Sequence, residues 1–381
     1  MEKPRVAVRK CRDYDSERVR EAVGKLLSDL GGMGSFVKKG ERVVLKINLL
    51  RAAKWEDAIT THPHVVMAVY GLVEKAGGEP LVADSPGGQF TQGRLRSVYD
   101  KCGFLELEKK GELKLNWNTD SARTSHPDGK ILRSVDILKV VKDADCVITM
   151  PKMKTHTMAQ ITGATKILYG VIPGLAKAGY HTKFTETPEF TEMLLDLLTL
   201  VKPRLSVMDG ILGMEGNGPS AGDQIWSKVL LASANSVALD MVMAEIMQVD
   251  LAKLIILQNA IKRGMAPSSP DSIEHVGDPL ESVLDRPWKI PGSRSGILER
   301  LQRSAPRGAM RRFGTLLIRR PYPDVKLCKG CGECARNCPQ KCIRIVNDVP
   351  VIDYKKCRSC FCCSEMCPTN AMKVKEPLFK L

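Results

Sequence analysis

Residues 42–88 read RVVLKINLLRAAKWEDAITTHPHVVMAVYGLVEKAGGEPLVADSPGG, and this stretch decides the fold. Its first part, Arg42–Ile47, is a short apolar and β-branched run, which predicts a buried strand. Pro63–Lys75 has a helical pattern that ends at Gly77-Gly78, and Pro80–Ala83 predicts the next strand. A strand, a helix and a strand in this order indicate a βαβ unit, which favours a mostly parallel sheet.

The same alternation continues along the first three quarters of the chain. Strands are predicted at Arg5–Arg9, Asp145–Thr149, Arg204–Met208 and Val229–Ala232, and helices at Ser16–Leu30, Gln92–Cys102, Thr191–Val201, Ser236–Met247 and Leu251–Ile261. Strands that alternate with helices indicate an α/β fold, here a mostly parallel sheet with flanking helices. We assign residues 1–290 to this α/β domain.

Cysteines are concentrated near the C-terminus, where ten of the thirteen lie between Cys328 and Cys367. Two runs share the spacing C-x2-C-x2-C-x3-C followed by proline: Cys328, Cys331, Cys334 and Cys338, then Cys357, Cys360, Cys363 and Cys367. This is the spacing of bacterial two-cluster ferredoxins. It predicts two 4Fe–4S clusters in a small α+β ferredoxin-like domain over residues 323–381.

The eight cysteines are expected to divide crosswise, because in such ferredoxins the fourth cysteine of each run ligates the other cluster. One cluster takes Cys328, Cys331, Cys334 and Cys367, and the other takes Cys357, Cys360, Cys363 and Cys338. Zinc is an alternative that explains neither the triple runs nor the prolines, and clusters kept only for structure are another. Cys342 and Cys362 are interpreted as buried thiols outside the ligand set.

A hairpin is predicted between the two cysteine runs. Ile343–Val346 and Val349–Ile352 have strand character, and Asn347-Asp348 between them is a turn pair. This arrangement fits the compact pseudo-twofold pattern of a ferredoxin module.

Polar segments follow several of the predicted strands. Asn48-Leu-Leu, Asp84-Ser-Pro-Gly-Gly88, Pro151-Lys-Met-Lys-Thr-His156 and Asp209-Gly each come directly after one. In an open parallel sheet, ligands bind outside the carboxyl ends of the strands. These segments are therefore predicted to line one crevice.

The crevice is predicted to be basic and to bind a small anion. The predicted binding residues are Asp84, Ser85, Gly87, Gly88, Lys152 and Glu215, and the predicted catalytic residues are Lys154, His156, Lys166 and His181. Lysines would hold the anion, glycines would let backbone amides approach it, and a histidine would move a proton. An ordinary turn at 84–88, a solvated loop at 151–156 and a lid or plain loop at 214–219 remain alternatives.

Composition narrows the class of protein. The chain of 381 residues has a formal net charge of +15, which favours acidic partners. There is no apolar signal segment at the N-terminus and no run of 18 apolar residues, so a cytoplasmic location is predicted. No Walker A motif, GxGxxG after a strand or Ser/His/Asp pattern is present, so a nucleotide hydrolase or a standard flavin or NAD enzyme is not supported. Nucleic-acid binding is disfavoured, because the basic linker at residues 291–322 has no aromatic interleaving or recognition motif.

Residues 291–322 are predicted to be a basic linker with helical character. Between Arg294 and Arg320 there are eight arginines and one acidic residue, Glu299. A basic amphipathic helix can lie on an anionic membrane or pack its apolar stripe on the main domain. Packing is favoured, and peripheral membrane contact through 294–320 is the alternative.

Together these residues resemble the family named domain of unknown function 362, which is found fused to a C-terminal ferredoxin in many anaerobic bacteria and archaea. The resemblance rests on Asn48-Leu-Leu, Thr60-Thr-His-Pro63, Asp84-Ser-Pro-Gly-Gly88, Pro151–His156, Thr162 to Gly170, Pro173-Gly174, His181, Met214–Pro219 and Cys360-Phe-Cys-Cys363. The chain departs from the family pattern at Ile167, where Asn is expected, and at Asn235, where Asp is expected. The resemblance implies an iron–sulfur protein of anaerobic metabolism.

The predicted function is that of a ferredoxin-linked oxidoreductase. Electrons would pass from the two clusters to a small anionic substrate in the basic crevice, and the redox partner would be a protein such as an acidic ferredoxin. Two alternatives stay open: a non-catalytic electron-carrier subunit that docks on another enzyme, and a cluster-based regulatory sensor.

Overall fold

A computed structural model describes residues 3–184, 186–291 and 319–375. The predicted basic linker therefore lies almost entirely outside the described residues. The strands are β1 (Arg5–Lys10), β2 (Arg42–Ile47), β3 (Glu79–Ala83), β4 (Ser121–Ser125), β5 (Ser134–Leu138), β6 (Cys146–Met150), β7 (Lys152–His156), β8 (Gln160–Thr162), β9 (Leu205–Glu215), β10 (Asp223–Ile225), β11 (Val229–Ser233), β12 (Glu274–Gly277), β13 (Arg320–Pro323), β14 (Ile343–Val346), β15 (Val349–Ile352) and β16 (Met372–Lys375). The α-helices are α1 (Ser16–Ser28), α2 (Pro63–Lys75), α3 (Gln92–Lys101), α4 (Phe104–Lys109), α5 (Lys139–Lys142), α6 (Ala176–Lys183), α7 (Thr187–Val201), α8 (Ser236–Ile246), α9 (Ile255–Lys262), α10 (Glu333–Arg336) and α11 (Cys362–Glu365).

Ten of these strands form one sheet with a parallel centre. Its main path has the order β12-β1-β11-β9-β6-β2-β3. The neighbours β3, β2, β6 and β9 run parallel, whereas β11 is antiparallel to both β9 and β1. The predicted α/β class, with a mostly parallel sheet and flanking helices, is confirmed.

Apolar side chains form a core on each face of this sheet. In β2, Val43 and Leu45 belong to the core that includes α1 and α2, while Val44 belongs to the core that includes α7 and α8. Successive side chains on a strand point to opposite faces, so a strand that is buried on both faces needs a continuous apolar run. This requirement explains the sequence of β2, in which Lys46 is the one buried polar exception.

Two strands differ from the sequence prediction. The segment that follows β6 is itself a strand, β7, and all five of its residues are buried, so the solvated-loop alternative for 151–156 is wrong. β9 continues to Glu215, seven residues beyond the predicted end at Met208, because its second half pairs with β7 and β10. Pairing between distant segments therefore overrides local polar character in both places.

The C-terminal part, residues 320–375, is here called the cysteine module. β14 and β15 pair antiparallel around Asn347 and Asp348, which both have positive φ, so the predicted hairpin is confirmed. β13 and β16 form a second antiparallel pair that joins the two ends of the module. One short helix, α10 or α11, lies within each cysteine run.

Candidate functional site

Asp84 lies at the end of β3 and is held by its own chain. Its carboxylate is 2.7 Å from Lys46 Nζ and accepts hydrogen bonds from the amides of Leu49 (2.6 Å) and Ser85 (2.7 Å). Burial lowers the pKa of Lys46, and the charge of Asp84 opposes that shift. A Cβ on Gly170 would lie 2.4 Å from Asp84 Oδ1, so the backbone at 170 approaches this pair closely.

Ser85, the next predicted binding residue, is also engaged within the chain. Its hydroxyl accepts from the Gly174 amide at 2.7 Å and from Lys177 Nζ at 3.0 Å. Lys177 also donates to the carbonyls of Ser85 and Ile172. Burial lowers the pKa of Lys177 to about 7. The network fixes the loop after β3 against the segment before α6.

Lys152 points into the protein at the start of β7. Its Nζ lies 2.8 Å from Asp209 Oδ2 and 2.6 Å from the hydroxyl of Tyr14. Asp209 also accepts from the Tyr14 hydroxyl at 2.7 Å and from the His62 amide at 2.9 Å. All four residues are buried, and burial lowers the pKa of Lys152. Asp209 and Tyr14 were absent from the predicted site residues, although Asp209 had been noted at a strand end.

Lys154 is equally buried but has a single acceptor. Its Nζ donates to the Ile59 carbonyl at 2.7 Å, and no ion pair to it occurs within residues 3–184, 186–291 and 319–375. Burial, reinforced by the charges of Lys166 and Lys152, holds its pKa well below the usual range. A buried lysine of this kind favours the neutral amine.

Three predicted catalytic residues, His156, Lys166 and His181, face the cysteine module and are here called the basic group. His156 Nε2 is 3.3 Å from Glu365 Oε1, whereas its Nδ1 accepts from the amides of Met158 and Ala159. Two accepted bonds at Nδ1 assign the neutral ring's proton to Nε2. Burial lowers the pKa of His156 to about 4 and that of His181 to about 4. Both rings are therefore neutral near pH 7.

Glu365 belongs to α11, between Cys363 and Cys367, and inserts into the basic group. Burial alone would raise the pKa of its carboxyl, but the contact with His156 and the nearby Lys166 ammonium lower it to about 2. Sequence reasoning missed Glu365 because it was read only as part of the cysteine run. The signal available in the sequence was an acidic residue between two predicted ligands, Cys363 and Cys367.

Glu215 has a different environment from the basic group. Its carboxylate forms a two-point pair with Arg286, at 2.7 and 2.9 Å, and accepts from the Lys289 amide at 2.9 Å. These contacts tie the end of β9 to the segment before the linker. The Glu215 carboxylate, which was predicted to bind a cofactor, is thus occupied by Arg286 and the Lys289 amide.

The cysteine module covers the predicted crevice. Arg51 donates to Asn370 Oδ1 at 3.2 Å, and Arg94 lies 3.9 Å from Glu333. Gly87 and Gly88 face the module, and a Cβ on Gly87 would lie 2.3 Å from Met366 Sδ. These glycines therefore make room for the module, and the residues beneath it do not form an open pocket as the sequence led us to expect.

We predict that Gly87→Val weakens this docking, because a branched side chain overlaps the position of Met366. Overpacking of this kind costs about 1–3 kcal/mol. Hydrogen exchange of the amides in α11 should become faster. Gly93→Val is the matched control, since a Cβ at Gly93 meets no atom within 4 Å. Equal exchange in the two variants would contradict the docking role of Gly87.

The eight predicted ligands line two cavities inside the module. The first cavity is bordered by Cys328, Cys331, Cys334 and Cys367, and the second by Cys338, Cys357, Cys360 and Cys363. This grouping is the crosswise one, and the donor set is chemically suited to iron–sulfur clusters. Amides of Ala371 and Ser359 donate to the sulfurs of Cys367 (3.2 Å) and Cys357 (3.4 Å).

The two cysteines outside the ligand set lie in different places. Cys342 borders the second cavity, and its Sγ is 3.4 Å from Cys338 Sγ. Cys362 is buried on α11, near Lys166 of the basic group. No group of three or more His, Cys, Asp and Glu side chains in the described parts of the chain is arranged around a single metal ion, and cluster binding stays a prediction.

A further cavity, here called the junction cavity, lies between the α/β domain and the module. Its walls include His181 and Thr157 from the α/β domain, and Arg358, Cys360 and Phe361 from the module. The last three residues also border the second cavity. The junction cavity and the second cysteine cavity are therefore separated only by the Arg358–Phe361 loop.

The fold and the site define an α/β protein whose sheet edge is capped by a cysteine-rich module. Residues 43–245 match the family described as domain of unknown function (DUF362). A thylakoid-associated protein of Synechocystis sp. is 34% identical over 293 residues, which cover 75% of this chain and 87% of that protein. The chain belongs to the DUF362 family.

Solved structures show weaker similarity. The lactate racemase apoprotein of Thermoanaerobacterium thermosaccharolyticum matches with a TM-score of 0.40 and 14% identity over 65% of this chain and 57% of that one. A Thermotoga maritima protein matches with a TM-score of 0.36 and 13% identity over 63% and 60% of the two chains. This chain spans less than two thirds of either structure. Of the helices described here, none is long and apolar enough to cross a bilayer.

Proposed function

We propose that this protein is a two-cluster iron–sulfur oxidoreductase that passes electrons to a small anionic molecule at the junction of its two parts. The observation that carries the proposal is the division of eight cysteines between two cavities in the crosswise pattern. Cys328, Cys331, Cys334 and Cys367 would hold one cluster, and Cys338, Cys357, Cys360 and Cys363 the other. When bound, each cluster would supply storage for one electron.

The position of the second cysteine run supports the oxidoreductase reading over that of a simple carrier. Glu365 brings this run against His156, and Cys360 lies opposite His181 across the junction cavity. Lys166 lies beside these groups and in its protonated form would attract an anion; burial lowers the pKa of its amine, and the charge of Glu365 opposes that shift. The neutral rings of His156 and His181 could relay a proton, because one ring nitrogen can accept a proton while the other releases one, and no net charge is then left in the buried site.

The first experiment tests cluster content. The protein is isolated anaerobically and analysed for iron, sulfide and EPR signals, and any released ligand is identified by mass spectrometry. We expect about eight irons per chain, since two cubanes carry four each. Zinc in place of iron, or far less iron after careful reconstitution, would overturn the proposal.

We predict that His156→Gln slows electron delivery while iron content stays unchanged. The substitution replaces the imidazole, which can relay a proton, with an amide, which can still donate to Glu365 but does not titrate. Reoxidation of the reduced protein by an identified acceptor should slow about tenfold or more, on the scale of general acid–base contributions. His126→Gln is the control, because His126 is also buried but contacts Thr199. Full turnover in His156→Gln would show that His156 of the basic group takes no part in electron delivery.

An electron-carrier subunit is the second candidate, and one observation favours it. Lys152 and Lys154 are satisfied by acceptors of their own chain, so they are not available to bind a ligand. The α/β domain would then serve to dock the module on another enzyme, and an acidic redox protein could approach the exposed Lys326, Lys355 and Lys356. A stable partner after anaerobic purification, with no bound small molecule, would support this candidate.

A further inference from the structure

The junction cavity is small. The centres of water-sized molecules can occupy about 30 Å³ of it. One buried water needs about 10–15 Å³ by this measure, so the cavity has room for two or three waters or for one small anion.

Polar groups in its walls lack partners. His181 is 3% exposed, and its Nδ1 has no hydrogen-bond partner within the described residues. The same holds for the buried hydroxyl of Thr157. Buried polar atoms without partners are uncommon, and they indicate a bound water, ion or ligand.

The charges around the cavity favour an anion. Arg358 presents an exposed guanidinium from the module side. Arg319, directly before the module in sequence, also lines the cavity and adds positive charge there, while its guanidinium donates to the Thr157 carbonyl. Guanidinium groups bind carboxylates and phosphates through two parallel hydrogen bonds. The carboxylates nearby are Glu186, which precedes the lining residue Thr187, and Glu365, which already contacts His156.

We propose that the junction cavity binds a small oxyanion, a carboxylate or a phosphate, in contact with the loop that carries Cys360. This inference rests on the proposed function and names the site and the ligand class for it. Arg358, Cys360 and Phe361 border both this cavity and the second cysteine cavity. Only the loop that contains these three residues would therefore separate a ligand in this cavity from the cluster held by Cys338, Cys357, Cys360 and Cys363.

Only one of the two clusters would lie beside this ligand. Cys331 of the first cavity is exposed, whereas Cys360 of the second lines the junction cavity. The cluster held by Cys338, Cys357, Cys360 and Cys363 would therefore be the one that faces the ligand.

The test uses the full-length protein with both clusters assembled. Oxalate and inorganic phosphate are titrated separately, and binding is followed by calorimetry and by the EPR spectrum of the reduced protein. We expect one of these anions to bind and to perturb the signal of one cluster only. Comparison of the two titrations distinguishes a carboxylate site from a phosphate site.

Two variants locate the anion, one on each wall. Arg358→Gln and Thr157→Val should each weaken binding about tenfold or more with unchanged iron content. Arg344→Gln is the control, because Arg344 is an exposed arginine of β14 outside the cavity wall. If Arg358→Gln disturbs cluster assembly, the anion affinity of Thr157→Val still tests the site, because Thr157 belongs to the α/β domain and lies outside the cysteine runs.

Failure of this inference is distinguishable from failure of the proposed function. Assembled, reducible clusters with no anion binding and no EPR change would overturn the inference and leave the two-cluster assignment in place. Equal weakening in Arg344→Gln would also overturn it, since binding would then be a property of the basic surface. Absence of clusters would overturn the proposed function and this inference together.

Discussion

Asp209→Ala is expected to lower the free energy of unfolding by about 3–5 kcal/mol, the usual cost of removing one partner from a buried ion pair. The substitution leaves the Lys152 ammonium, the Tyr14 hydroxyl and the His62 amide without their common acceptor. Asp209 is fully buried, so water cannot replace the lost contacts without opening the end of the sheet. Urea unfolding monitored by circular dichroism measures the change.

Two controls separate the buried pair from an ordinary ion pair. Asp136→Ala removes the exposed pair with Arg123 and should cost less than about 1 kcal/mol. The double replacement Lys152→Met with Asp209→Leu should recover much of the loss, because no charge is then left unpaired. A small effect of Asp209→Ala, similar to that of Asp136→Ala, would show that Lys152 does not depend on this carboxylate and would restore it as a candidate ligand-binding residue.

Combined cysteine substitutions are expected to change the iron content by whole clusters. Cys367→Ala should lower it from about eight irons to about four, since one of two cubanes is lost. In the crosswise arrangement, adding Cys328→Ala leaves about four irons, because both cysteines border the first cavity. Adding Cys357→Ala instead removes the second cluster as well and leaves almost none.

The opposite pattern would show that each run holds its own cluster. In that case Cys367→Ala with Cys357→Ala would keep about four irons, and Cys367→Ala with Cys328→Ala would keep almost none. Cys362→Ala serves as the control, since Cys362 borders neither cavity and should keep about eight. Cys367 is preferred to Cys338 for this test because Cys342, 3.4 Å from Cys338, could act as a substitute ligand.

The position of the polar segments at the sheet edge could be predicted from the sequence, but the direction of their side chains could not. The polar segments after the strands do come together, as the Asp84–Leu49 hydrogen bond and the Lys152–Asp209 ion pair show. The sequence does not predict where the lysine side chains of these segments point, because the local sequence around a lysine is the same whether its side chain faces solvent or an internal carboxylate. For Lys152 that carboxylate, Asp209, is 57 residues away in the chain.

The sequence by itself determined the βαβ alternation, the parallel centre of the sheet, the hairpin at Asn347-Asp348 and the spacing of the two cysteine runs. These features depend on the strand and helix periods and on turn chemistry, which act within a few residues. Only the tertiary structure decided that β7 is a buried strand, that Lys152 and Lys154 face inward, and that Glu365 lies against His156. Burial and pairing between segments far apart in the chain control these outcomes, because they set which charge is desolvated and which partner compensates it.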